Sequence, residues 1–266
     1  MRLIGVLIWC LALGVVQLGS APAVPAGQAV LMEDLEYRVS LGFWQDVARV
    51  HLRLTQVAPD RYRAEFTGAA QGAWSLLKKW LPESYENEMV LDGARLKPIS
   101  YREKFFSQGK EISKEYRFDY SRRVLEIWRG VNGGKPVLDW QGPLQGPVYD
   151  PLTLFYNLRL GALGPISPGQ TLKVTLAPNP EPREMFLNVG PDTAQGRKVM
   201  VTVRSENGAE DGPYFIFSDT HKVPLSAWLR VMMFGKLAGK LLNPGEIMNK
   251  KLEGLPQLSQ RGGEKR

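Results

Sequence analysis

Leu35-Glu36-Tyr37-Arg38-Val39-Ser40-Leu41 alternates apolar and polar residues at every step. A period of two puts Leu35, Tyr37, Val39 and Leu41 on one face of an extended chain and Glu36, Arg38 and Ser40 on the other. The same period returns over residues 48–55 and 61–68. Each stretch reads as a strand with one dry face and one wet face, the pattern of an antiparallel sheet. Gly42 to Asp46 and Pro59-Asp60 are the turns between them.

Further strands are predicted over residues 86–91, 96–106, 111–120, 124–129, 171–176, 184–189, 198–204, 214–218 and 225–233, with a last one ending at 240–242. Asp92-Gly93 and Gln108-Gly109 punctuate the hairpins. Two segments change the period. Ala73, Trp74, Leu77, Trp80 and Leu81 share one face of a helix that Pro82 ends. Asp150 and Pro151 suit the N-cap and first position of a second helix running to Arg159, with Gly161 as its stop. On that reading Asp150→Ala costs about 1 kcal/mol, the usual worth of an N-cap.

About a dozen short strands without a long linker predict a mainly β (β-rich α+β) fold. The expected form is an extended curved antiparallel sheet or an open barrel with one or two short helices. Residues 27–249 read as a single β-rich domain. Gly133-Gly134, Gly142-Pro143 and Gly146-Pro147 mark where subdomains 27–147 and 148–249 would part. Residues 250–266 read as a flexible basic tail.

Arg2 is the only charge before Glu33, and residues 3–16 are an uncharged, mostly apolar run. This is the pattern of a signal peptide over residues 1–26, with cleavage after Ala23 or, preferred, after Ala26. The run is short for a permanent membrane span, which takes about 20 apolar residues; an uncleaved anchor is the alternative. Cys10 follows the bulky Trp9 in mid-run, so lipid attachment there is rejected. The expected location is the periplasm.

The chain has 266 residues, 44% hydrophobic and 23% charged, with net charge +7. Those are ordinary globular values. One cysteine and two histidines rule out a four-cysteine zinc site, an iron–sulfur cluster and an internal disulfide. No cofactor or metal is expected. No nucleophile elbow, phosphate loop or His-Glu-x-x-His motif is present. His51 falls on the wet side of a strand, and His221 in a turn after Asp219. Nucleic acid is not an expected partner, because the basic residues are interleaved with acidic ones.

Several local patterns follow one another in order. Leu35 to Val39 opens the domain, and Glu83-Ser84-Tyr85-Glu86 precedes a strand that Leu96-Lys97-Pro98 follows. A Tyr/Phe-rich hairpin ends in Phe118-Asp119. Tyr149-Asp150-Pro151-Leu152 then begins the helix that ends in Leu158-Arg159. Phe217-Ser218-Asp219 and Val223-Pro224-Leu225 come late. This order resembles the exported bacterial family called domain of unknown function 3108, over roughly residues 33–243. Asp150, Pro151, Arg159, Asp219 and Pro224 carry the most specific parts of the likeness. The region 184–196 departs from the family's glycine-bearing hairpin. The resemblance implies an envelope protein of mostly antiparallel β structure and implies no reaction. More distantly, it is similar in architecture to curved-sheet carriers of lipids or lipoproteins, an analogy only.

Three functions compete. The first is a non-enzymatic binding or carrier module for an apolar or amphipathic envelope ligand, such as lipid or lipoprotein acyl chains. Trp74, Leu77, Trp80 and Leu81 are its candidate ligand-binding residues; the alternative is that these four are plain core. The second is a structural or assembly module contacting polysaccharide or another envelope protein, with Trp128 or Trp140 as stacking platforms. The third is a periplasmic hydrolase using His221 or a carboxylate pair.

Overall fold

The computed structural model describes residues 29–72, 84–177, 182–205, 208–218, 223–231 and 235–243. The expected signal peptide, the helix carrying Trp74, Leu77, Trp80 and Leu81, Asp219, His221 and the basic tail lie outside the described residues.

The strands are β1 (Val30–Leu41), β2 (Trp44–Ala58), β3 (Arg61–Ala70), β4 (Ser84–Asp92), β5 (Arg95–Ser107), β6 (Lys110–Asp119), β7 (Val124–Val131) and β8 (Val137–Pro143). After them come β9 (Val148–Tyr149), β10 (Thr171–Leu176), β11 (Arg183–Thr193), β12 (Gly196–Ser205), β13 (Gly208–Phe217), β14 (Pro224–Val231) and β15 (Gly235–Leu241). One helix, α1 (Pro151–Arg159), sits between β9 and β10. All fifteen strands belong to one sheet, in the order β8-β7-β6-β5-β4-β3-β2-β1-β15-β14-β13-β12-β11-β10-β9. Every neighbouring pair is antiparallel except β9 with β10.

That order forces curvature. Strands β8 and β9 are the two edges of the sheet. A flat sheet of this size would hold its edges about 67 Å apart at 4.8 Å per strand. Yet residues 144–147 alone join Pro143 to Val148, a reach of at most about 18 Å. The sheet therefore bends round into an open, barrel-like ring with a seam between β8 and β9. Register shifts in the β1–β2, β2–β3 and β4–β5 pairs supply bends along the way.

The parallel β9–β10 pair explains the helix. Parallel neighbours need a crossover connection, and α1 is that crossover. It lies against the inner face of the ring, and Leu152, Thr153, Leu154, Tyr156, Asn157, Leu158 and Arg159 are all buried. Leu152 and Tyr156 join the larger apolar cluster, made mainly from β1 to β7. Leu154 and Leu158 join a second cluster, made from β10 to β13. The helix thus bridges the two halves of a continuous sheet.

Two parts of the architecture were not read from the sequence. The glycine-rich middle contains β8 and β9, and β13 begins at Gly208 rather than Tyr214. In both places the strand is held by its neighbour's ladder rather than by an alternating apolar pattern: β8 pairs β7, and Gly208 to Asp211 pair β12.

The β11–β12 turn has an absolute requirement for glycine. Gly196 has φ +139°, and a Cβ there would lie 2.0 Å from the carbonyl oxygen of Phe217 on the neighbouring strand. Gly196→Ala is expected to cost at least about 2 kcal/mol, combining a disfavoured φ with a backbone clash. A urea denaturation curve checks this; an unchanged midpoint would mean that the β12–β13 approach is looser than described.

Candidate functional site

Strand parity locates the polar residues that matter. In β1, Leu35, Tyr37 and Val39 face inward and are buried. Glu33 has the same parity, and the register shift between Leu31 and Glu33 turns Met32 inward as well. Glu33 is fully buried, with 0% exposure. In the same way Asn87 is in phase with Tyr85 and Met89, Glu103 with Tyr101, and Lys114 with Ile112 and Tyr116. All four polar side chains point into the ring and are buried.

Two of them, Glu33 and Asn87, seat α1. Arg159, in the last turn of the helix, donates from both terminal nitrogens to Glu33, at 2.5 and 2.6 Å. Tyr156, one turn earlier, reaches the same carboxylate at 3.4 Å. Burial works against the charge of Arg159, but Glu33 outweighs it and holds the guanidinium protonated. Tyr37 is packed beside the pair, its hydroxyl buried without a hydrogen-bond partner among the described residues, and burial raises its pKa far out of reach.

The start of the helix is tied to β4. Asp150 is the N-cap and accepts from the backbone N–H groups of Leu152 and Thr153 at 2.9 and 3.0 Å. It also accepts from the Thr153 hydroxyl and from the Asn87 amide at 3.1 Å. Asn87 donates to Thr153 Oγ1 too, at 2.9 Å. Burial raises the Asp150 carboxyl above its ordinary range, against these hydrogen bonds, which favour the anion. Asn157 closes a two-way bond with the backbone of Leu96 on β5, at 2.9 and 2.8 Å. Asp150 is the N-cap expected from the sequence, and it also ties the helix to β4 through Asn87.

A second group lies at the inner face of β5 and β6. Tyr101 and Tyr116 continue a ladder of rings that starts with Phe66 and Tyr85, with centroid spacings of 5.6, 6.2 and 5.3 Å. Tyr116 donates to Glu103 at 3.0 Å. Lys114 stands directly across from Glu103 in the ladder and across from Arg129 on the other side. It is 5% exposed, and the Glu103 and Asp139 carboxylates act on its charge. Its ammonium lies 6.0 Å from the Phe105 ring. Burial lowers its pKa, Glu103 and Asp139 oppose that, and Arg129 adds to it.

Of the residues singled out by sequence, Asp150, Pro151 and Arg159 are brought together by α1, while Pro224 opens β14 opposite Phe217. His51 stands on the outer face, 3.4 Å from Asp34. Trp128 is half-buried, donating to Glu126 at 3.0 Å with Arg117 4.9 Å over its ring. Trp140 packs against the larger core cluster. No group of three or more metal-ligating side chains occurs among the described residues. No helix among them is long and apolar enough to cross a membrane. Sequence reasoning missed Glu33, Asn87, Glu103 and Lys114. Their signal was present: each is a polar residue at an inward position of its strand.

Removing one partner of a buried ion pair strands the other charge. Glu33→Met is expected to cost about 3–5 kcal/mol, and the double variant Glu33→Met/Arg159→Met to recover most of that loss. Denaturation of the two variants beside the wild type tests the pair; equal losses in both would show that the ion pair is not what anchors α1. Asp150→Ala should cost about 2–3 kcal/mol, above the about 1 kcal/mol of a solvent-exposed cap, because a buried amide loses an acceptor. A smaller loss on the same curves would return Asp150 to the role of a simple cap.

The chain was compared with family models, curated proteins and solved structures. The model described as "Protein of unknown function (DUF3108)" matches residues 36–233. Among solved structures, the chain is similar to a beta-barrel-like protein of domain of unknown function DUF1849 from Brucella abortus. Identity is 10% and the TM-score 0.45, over 80% of this chain and 96% of that one. No curated protein matches. With the family model spanning most of its length, from β1 through the β14–β15 connection, the chain belongs to the DUF3108 family.

Proposed function

We propose that the protein is an exported envelope module that binds an amphipathic ligand with an acidic head group and carries out no reaction. The observation that carries this reading is Lys114. A lysine buried to this degree normally has a counter-ion, and the carboxylate that faces it, Glu103, is shared with the Tyr116 hydroxyl. The ammonium sits beside Phe105, and Lys114 shares the inward face of β6 with Tyr116, the last ring of the Phe66–Tyr85–Tyr101–Tyr116 ladder. A ligand that brought its own anion to Lys114 and laid apolar carbons near those rings would satisfy both. The signal-like residues 1–26 support export to the periplasm. Trp74, Leu77, Trp80 and Leu81 remain candidates for contact with the same ligand.

The test is titration with a fluorescent fatty acid, on the wild type and on Lys114→Met. Saturable binding by the wild type, weakened at least about tenfold in the variant, is expected for loss of one buried charge-assisted contact. The pH profile gives the sign. Lys114 carries its charge below its folded pKa, which burial depresses from 10.5. Binding should therefore fall as pH rises through a value below 10.5, and the fall should be absent in Lys114→Met. Wild-type protein that shows no saturable binding sinks the reading and moves the assembly module to the front.

A further inference from the structure

Chain direction sorts the connections into two sets. The β1–β2 tip (Gly42-Phe43), the β5–β6 tip (Gln108-Gly109) and the β7–β8 connection (132–136) all lie at one end of the ring. The register fixes this: Leu41 faces Leu237, Ala48 faces Ala70, Ser84 faces Lys104, and Ile112 faces Val131. The β2–β3, β4–β5, β6–β7 and β11–β12 turns lie at the other end.

The two ends differ in chemistry. Seven large apolar residues are exposed among the described residues, and five of them, Phe43, Trp44, Val131, Val137 and Leu138, belong to the first end. Phe43 is 79% exposed and Val137 64%. Phe43 packs on Trp44 with ring centroids 3.9 Å apart, so the tip presents two aromatic rings as one unit. The other end shows Leu31 and Tyr120 among turns built from Pro59-Asp60, Asp92-Gly93 and Asp119 to Arg123.

Basic residues stand beside these apolar tips. Lys110, Lys135, Lys236 and Arg129 are exposed at or near the apolar end. Glu111 and Asp139 stand among them, and Asp46 is taken up by Arg49 at 2.8 Å. The balance is positive. Exposed aromatic and aliphatic tips with lysines beside them are what a peripheral protein offers to an anionic bilayer: rings enter the head-group region while ammonium groups meet phosphate. The apolar tips are spread along the rim, about 29 Å of arc from the β1–β2 tip to the β7–β8 connection at 4.8 Å per strand. That spread suits a plane better than a single narrow ligand.

We propose that this end of the ring docks on an anionic lipid surface, with Phe43, Trp44, Val137 and Leu138 as the inserted residues and Lys110, Lys135 and Lys236 as the phosphate contacts. Docking of this kind does not depend on Lys114 or on any cargo.

The experiment is co-sedimentation of the full chain with vesicles of phosphatidylethanolamine and phosphatidylglycerol, and separately with vesicles of phosphatidylcholine alone. Binding is expected to the first, weaker to the second, and declining with added salt. Phe43→Ser/Trp44→Ser should reduce binding at least about tenfold, and Lys110→Glu/Lys135→Glu should reduce it only on the anionic vesicles. Circular dichroism melts confirm that these exposed substitutions leave the fold intact. Tyr120→Ser, at the opposite end, should bind as the wild type does. Failure to sediment with either vesicle, or equal losses from the Tyr120 variant, would overturn the proposal. So would a concentration-dependent dimer in sedimentation velocity that Phe43→Ser/Trp44→Ser dissolves, which would assign the rim to a second copy of the chain. Fatty-acid titration of the same variants stays unchanged if only the surface contact is lost, separating this result from the ligand site.

Discussion

The carboxylate of Glu33 and the guanidinium of Arg159 meet on the inner face of the ring, both buried, and each neutralises the other's charge. A sheet of this breadth cannot fill its own interior with side chains that stand perpendicular to it. The interior is filled by α1, and a nine-residue helix has too few contacts to hold its position by packing alone. Polar anchors set it instead. Glu33 holds its last turn to β1, Asn87 and Asp150 hold its first turn to β4, and Asn157 holds its middle to β5. An apolar helix can slide by a turn at little loss; a bidentate ion pair and a reciprocal amide bond tolerate one position.

Seating the helix also decides how the two apolar clusters meet. Leu152 and Tyr156 pack one way and Leu154 and Leu158 the other, so a shift of the helix would disturb both halves of the ring together. The seam between β8 and β9 lies where the chain turns from strand into crossover. Ala177 donates to Tyr149 at 2.8 Å, and Leu144 donates to Arg123 at 2.8 Å, so each edge is tied to its own side of the seam. The ring stays open there because β9 is only two residues long and offers little ladder to β8.

Function, on this account, belongs to what the frame leaves unsatisfied. The anchors of α1 are all paired, which suits a structural role. Lys114 is buried opposite a carboxylate that it shares with Tyr116, and one rim exposes aromatic rings. The first is a charge held at a cost in desolvation that packing does not repay, and the second is apolar surface kept in water. Structural economy would have removed both.

The strands of the first half were legible because they obey a period of two: Leu35 to Leu41, Ala48 to Thr55 and Tyr62 to Gly68 bury one face and wet the other. The start of α1 was legible from Asp150 and Pro151, since capping is a local matter of a side chain within three residues of its acceptor partners. Strand β8 was hidden, because Val137 to Pro143 has no buried face to impose an alternation. The interior polar residues were half-hidden. Glu33, Asn87 and Lys114 announce themselves by breaking the inward pattern, but nothing along the chain says that Glu33 meets a residue 126 positions away or that Lys114 stands between Glu103 and Arg129. By itself the sequence determined which backbone is extended, where α1 begins and which faces are apolar, since these follow from neighbours a few residues apart. Only the tertiary structure decided the closing of the ring, the pairing of Glu33 with Arg159 and the gathering of Phe43, Trp44, Val137 and Leu138 at one end. Each of those depends on strand order, and strand order is set by contacts between residues far apart in the chain.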